Sequence, residues 1–246
     1  MITDMKKYII SFLVLGLLCS CKGFLEPFPN GSYNETNYED YPKLIRGYVE
    51  TAYALLPITY MTTEYIGGDG MADNMTWRDR NNSQYKLATG ASLMSSYSYS
   101  GIYTRDYRAI YFCNLFLKDN IGMNTRYMLD EEANAKLQRC LQGDAYALRA
   151  WYLYDLLKLF GGRSTDGQMM GVPIYTEPRN PDEADLSDVY RATYQECVDQ
   201  ILEDIDSAMV YLPLANRDFL KDKEMIPVTG AVRYRRFDQA GMLAMK

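Results

Sequence analysis

The chain has 246 residues, a formal charge of −6 at neutral pH and no histidine. The missing imidazole removes Ser-His-Asp and Cys-His nucleophile systems, HExxH metal sites and the usual pH switch together. The acidic balance lacks the basic footprint that nucleic-acid binding normally needs, so no nucleic-acid partner is expected.

The first segment reads as an export signal. Lys6 and Lys7 form a positive start, and Tyr8 to Leu18 is apolar apart from Ser11 and Gly16. That is far short of the roughly 20 residues a spanning helix needs. The signal reads naturally from Met5. The stretch "LLCSCKG" then offers two cysteines, and only one suits lipidation. Cys21 is preceded by Leu18, Cys19 and Ser20, the pattern of a bacterial lipoprotein signal; Cys19 would place bulky leucines at the cut. The alternative is a plain secretory signal with incidental cysteines. Residues 1–20 are therefore expected to be removed, and 21–37 to be a tether anchored to a membrane through lipidated Cys21. Removal takes away two lysines and one aspartate, so the mature charge is 24 − 31 = −7.

A helical domain is expected over 38–246. Its first helix is predicted from about Glu39 to Leu56, with Leu44, Ile45, Tyr48, Val49, Ala52 and Leu55 at spacings of three and four. Pro57 to Tyr97 has no such rhythm and is rich in Gly, Asp, Asn, Arg and aromatics; irregular segments of this length are usually functional or disordered. A second helix is predicted over roughly Gly101 to Asp119, and a third from about Asp130 to Phe160 with Leu137, Leu141, Ala145, Leu148 and Tyr152 as its stripe. Gly161-Gly162 is expected to end it in the left-handed conformation. After a proline-bearing loop with a possible extended piece at Gly171 to Tyr175, Thr193-Tyr194-Gln195-Glu196 has capping-box form and opens a fourth helix to Leu212. A fifth is expected to start within "TGAVRYRRFDQAGMLAMK" and to be cut short, which suggests a fragment. The fold class is all-α. Cys113, Cys140 and Cys197 lie in apolar helical patterns without CxxC spacing, so buried thiols are expected rather than a disulfide framework or zinc site.

Several segments resemble, in order, the SusD/RagB family of nutrient-capture lipoproteins. "SCKGFLEPFP" is similar to its acylated cysteine and following tether, and "AIYFCNLFLKD" to a helix carrying an Asn. "GDAYALRAWYLYDLLKLFGG" followed by "GVPIYTEP" resembles its most characteristic helix and loop. "YQECVDQILEDIDSAMVYLP" and "VTGAVRYRRFDQAGMLAMK" resemble the two helices after it. The resemblance covers nearly all of this chain but about the N-terminal half of a typical member. It implies TPR-like helix pairs, although the 34-residue TPR signature is absent. It also implies non-catalytic capture of an oligosaccharide or other nutrient at the cell surface. The captured ligand would pass to a TonB-dependent, SusC-like outer-membrane transporter, with no cofactor.

Glycan capture needs flat apolar faces for sugar C–H surfaces and planar polar groups for hydroxyls. Trp77 is the candidate stacking platform, with Arg78 and Asn81 as hydroxyl partners and Tyr85, Asp73 and Asn74 nearby. The alternative is that Trp77 plugs the loop onto the helices. "RAWYLYD" is instead expected to be core with a buried polar network around Arg149 and Asp155. "GGDG" lacks the form of a nucleotide loop and no strand precedes it, and the Asp69, Asp73, Asn74 spacing is not that of an EF-hand, so no metal site is expected, an adventitious calcium site being the alternative. Two further function classes stay open: a glycosidase using paired carboxylates, which needs no histidine, and a scaffold or adhesin whose loop binds protein.

Overall fold

A computed structural model describes residues 41–57, 78–81, 83–89, 100–179, 189–214 and 236–246, all within the compact unit Glu39–Lys246. Cys21 and the tether lie outside the described residues, as do Asp73, Asn74 and Trp77.

The elements follow from local chemistry. Helix α1, Pro42–Ala54, starts with proline at its first position, where the missing N–H costs nothing. A short helix, α2 (Ser83–Ala88), lies inside the segment expected to be irregular. Helix α3 spans Ser100–Leu117 and gives way to a 3-10 turn, Lys118–Asn120. Asp119 and Asn120 there have φ of 52° and 55°, which breaks the helical ladder two residues before the predicted end. One turn, α4 (Ile121–Asn124), follows. A Cβ on Gly122 would sit 2.2 Å from the Phe116 ring, so glycine is what lets that ring lie fully buried under the turn.

Helix α5, Glu131–Phe160, is the axis of the domain. Asp130 caps it, accepting the Ala133 N–H at 2.7 Å, and Glu131 and Glu132 favour the positive helix start. The predicted stripe Leu137, Leu141, Ala145, Leu148 and Tyr152 is buried throughout. Its end departs from expectation. Gly161 is extended, with φ −72° and ψ 155°, not left-handed. The glycine is needed for space instead, because a Cβ would lie 2.5 Å from the Leu157 carbonyl oxygen.

A two-residue antiparallel pair follows, β1 (Gly162–Arg163) with β2 (Met169–Met170). The extended piece anticipated at Gly171 to Tyr175 is no strand, though Gly171 N–H donates to the Ala192 carbonyl at 2.8 Å. Helix α6, Tyr194–Tyr211, carries the full capping box: Glu196 N–H donates to Thr193 Oγ1 and the Thr193 N–H to the Glu196 carboxylate. Helix α7, Gln239–Met245, begins behind Asp238, whose carboxylate accepts the Gly241 N–H at 2.8 Å, so Arg236 to Asp238 precede the helix.

The expected all-α architecture is borne out. Helices α3 and α6 pack on α5, α1 packs on α3, and α7 leans on α6. Cys113, Cys140 and Cys197 are free and buried, as their patterns implied; burial pushes the Cys113 thiol up to about 12, far from a reactive thiolate. Burial along α3 is uneven. Tyr103 is 36% exposed, whereas Asp106, Cys113 and Phe116 are fully enclosed.

The junction of β2 with α6 is tight. Cys197 Sγ accepts the Val172 N–H and donates to the Val172 carbonyl, both at 3.4 Å. A Cβ on Gly171 would meet that sulfur at 2.4 Å and the Thr193 carbonyl at 2.8 Å. Gly171→Ala is accordingly expected to destabilise the domain by about 1–3 kcal/mol, the usual cost of overpacking a filled site, measured by urea unfolding.

Candidate functional site

Of the residues proposed to meet a ligand, the structure describes three. Arg78 and Asn81 flank a turn held by the Asp79 carboxylate, which accepts the Asn81 N–H at 2.9 Å. This Asx arrangement fixes the backbone so that Arg78, Asp79, Arg80 and Asn81 are all exposed. Tyr85, half-buried, lies on α2 immediately after it. The turn therefore carries two guanidinium groups, a carboxylate and a carboxamide at the surface, which is the chemistry that recognises hydroxyls.

The helical body behind is organised by a buried polar network. Arg149 on α5 grips Asp204 on α6 with two bonds, Nε to Oδ2 at 2.8 Å and Nη2 to Oδ1 at 2.6 Å. Its remaining Nη1 donates to Asn114 Oδ1 on α3 at 2.8 Å. Asn114 Nδ2 then donates to the carbonyls of Tyr175 and Glu177, at 2.9 and 3.0 Å. Tyr107 adds a bond from its hydroxyl to the Pro173 carbonyl at 2.8 Å. Together these pin the loop 171–179 to three helices. Burial pushes the Asp204 carboxyl up, and the Arg149 ion pair opposes that shift.

The expected network at "RAWYLYD" is thus present but divided. Asp155 does not join Arg149; it faces Arg105 at 3.4 Å and Lys158 at 2.6 Å. Nor are all the aromatics core. Tyr152 is buried and its hydroxyl donates to the Ala52 carbonyl at 2.6 Å, but Trp151 is half-buried and Tyr154 is 45% exposed. Trp151 and Tyr154, three apart and hence on one face, line a cleft of about 400 Å³ with Phe237, Gly241, Ala244 and Met245. Sequence periodicity alone did not separate them from Tyr152; the i, i+3 spacing was the available signal.

A second, polar cleft of about 340 Å³ opens over the Arg149–Asp204 pair, bordered by Lys118, Asp119, Glu177 and Glu203. Neither it nor the aromatic cleft was anticipated, because each is assembled from segments far apart in the chain. Among the described residues no group of three or more His, Cys, Asp or Glu side chains is placed to hold a metal.

Comparison with known proteins places this architecture. The family described as "Starch-binding associating with outer membrane" matches residues 23–223. The chain belongs to the SusD-like family. A SusD-like protein of Formosa agariphila is 26% identical over 229 residues, 89% of this chain and 40% of that protein. A SusD-like protein of Bacteroides fragilis superposes with a TM-score of 0.60 at 19% identity, covering 87% of this chain and 35% of the other. A laminarin-binding SusD-like protein superposes with a TM-score of 0.58 at 18% identity, covering 87% and 39%. The SusD-like chain described here thus spans about 40% of the length of the curated relative it matches.

In this SusD-like fold Arg149 is expected to act as a structural tie. Arg149→Met should destabilise by about 3–5 kcal/mol, because it strands a buried carboxylate. Adding Asp204→Leu should restore much of the loss, a coupling that a double-mutant cycle in urea would reveal.

Proposed function

We propose that this chain is part of a non-catalytic, cell-surface glycan-binding lipoprotein. On this reading Cys21 is lipidated and holds it at the outer membrane, and captured oligosaccharide passes to a SusC-like, TonB-dependent transporter. The observation that carries the proposal is the family match over residues 23–223, whose description names starch binding and outer-membrane association. The exposed Arg78–Asn81 turn supports it with the right chemistry, and Trp77 next to it in sequence would supply the apolar stacking face.

A carboxylate-pair hydrolase is the less favoured reading. Among the described residues, Asp106 and Asp155 come together inside the helical body, but they are 0% and 3% exposed, out of reach of a polysaccharide. The one carboxylate on the described turn, Asp79, stands between two arginines.

Purified protein should be retarded in affinity electrophoresis through gels containing soluble polysaccharides, with no reducing sugar released. Trp77→Ala should weaken retention by about 1.4 kcal/mol, roughly tenfold in Kd, and Arg78→Ala or Asn81→Ala by less. Sugar release would overturn the binding role; unchanged retention in all three variants would move the site elsewhere. Cys21→Ser should leave the protein in the soluble fraction.

A further inference from the structure

Asp106 is the one charged-type side chain on α3 that is wholly enclosed, and its surroundings do not suit a carboxylate. Oδ1 receives Arg105 Nε at 2.8 Å, whereas Oδ2 meets no hydrogen-bond donor among the described residues. The Arg105 guanidinium that bonds Asp106 also reaches a second carboxyl group, Asp155 of α5, 3% exposed, so the two carboxyls are neighbours. Asp155 already receives Lys158 Nζ at 2.6 Å and Arg105 Nη2 at 3.4 Å. The other titratable group against the pair is Tyr152 of α5, which burial keeps protonated and whose hydroxyl is committed to the Ala52 carbonyl of α1.

An ionised Asp106 would leave a buried anionic oxygen unpaired and facing another anion, a costly arrangement. A protonated Asp106 removes that charge and brings a donor to the neighbouring carboxylate. We propose that Asp106 is held as a neutral carboxylic acid donating its proton to Asp155, a clasp between α3 and α5 that closes in acid and loosens above neutral pH. Arg105 and Lys158 then serve the single remaining negative charge. The clasp is independent of any glycan site.

Burial, with Asp155 adding to it, raises Asp106 from 3.8 to about 7. A raised folded-state value means that the folded protein holds the extra proton between those limits. This group's contribution therefore falls as pH rises from about 4 to about 7, is lowest above that range, and does not vary below it.

Asp106→Asn preserves shape and the donor while removing the titration. Its melting temperature should match wild type near pH 4.5 and exceed it by about 5 °C near pH 8. In wild type, an infrared carboxylic C=O band should persist at about pH 6, where ordinary carboxyls are ionised, and be absent from Asp106→Asn. A melting offset that is constant with pH, or no such band in wild type, would overturn the clasp.

Discussion

One guanidinium group determines how the domain is assembled. Arg149 sits in the middle of α5, and its donors are divided between Asp204 of α6 and Asn114 of α3. Because the fork is planar and rigid, satisfying both partners fixes the positions of α3 and α6 around α5 together. Asn114 then passes the constraint to the chain that returns from β2, through the carbonyls of Tyr175 and Glu177. A buried ion pair is weak evidence for stability as such, since desolvation offsets much of its attraction. Its effect here is geometric: apolar packing permits many helix arrangements, and the fork permits few.

Closure across the sequence comes from a second set of polar ties. Tyr53 on α1 donates to Asp144 on α5 at 2.8 Å, and the same phenol oxygen accepts the Phe237 N–H at 3.1 Å. Arg236 meets Asp144 at 3.1 Å, pairs also with Glu50, and lies 4.8 Å above the Tyr53 ring. One tyrosine therefore joins the first helix, the axis and the last segment. Gln239 completes the joint, its amide donating to the carbonyls of Met209 and Leu212 at the end of α6, at 2.9 and 2.7 Å. Those are carbonyls a helix end leaves without an intrahelical partner. Closing the long loop between Tyr53 and Phe237 costs more chain entropy than bringing α5 and α6 together.

Much of this was legible in the sequence, for reasons that differ by element. Helices α5 and α6 announced themselves through long apolar periodicity and, for α6, through the Thr193–Glu196 capping box, whose chemistry is local. The end of α3 was harder to read. The turn at Asp119 and Asn120 departs from the helix by positive φ, and no glycine marks it. The reason for Gly161 was misread because a C-terminal glycine usually signals the left-handed region, while here it clears the Leu157 carbonyl. Arg149 could be recognised as buried but not as the partner of Asp204, 55 residues away. The candidate ligand loop was legible as composition, Trp, Arg and Asn close together, whereas the clefts at Trp151 and at Lys118 depend on packing that no local pattern encodes.

Among the described residues, the three most enclosed aspartates, Asp106, Asp144 and Asp204, show how one folding problem receives three answers. Asp204 is met by a bidentate guanidinium, which neutralises it and makes it a rigid joint. Asp144 is met by a phenol and an arginine from opposite ends of the chain, which makes it a closure point. Asp106 receives a single arginine bond and faces a carboxyl that already has its own cations. Apolar side chains of similar volume would have filled each site at lower desolvation cost. That the chain uses aspartate where helices meet fits the same logic throughout: directional bonds, rather than additional buried area, decide which helix faces which. A body built this way holds its shape through a few specific joints, and a surface turn such as Arg78–Asn81 can then present polar groups without contributing to the core.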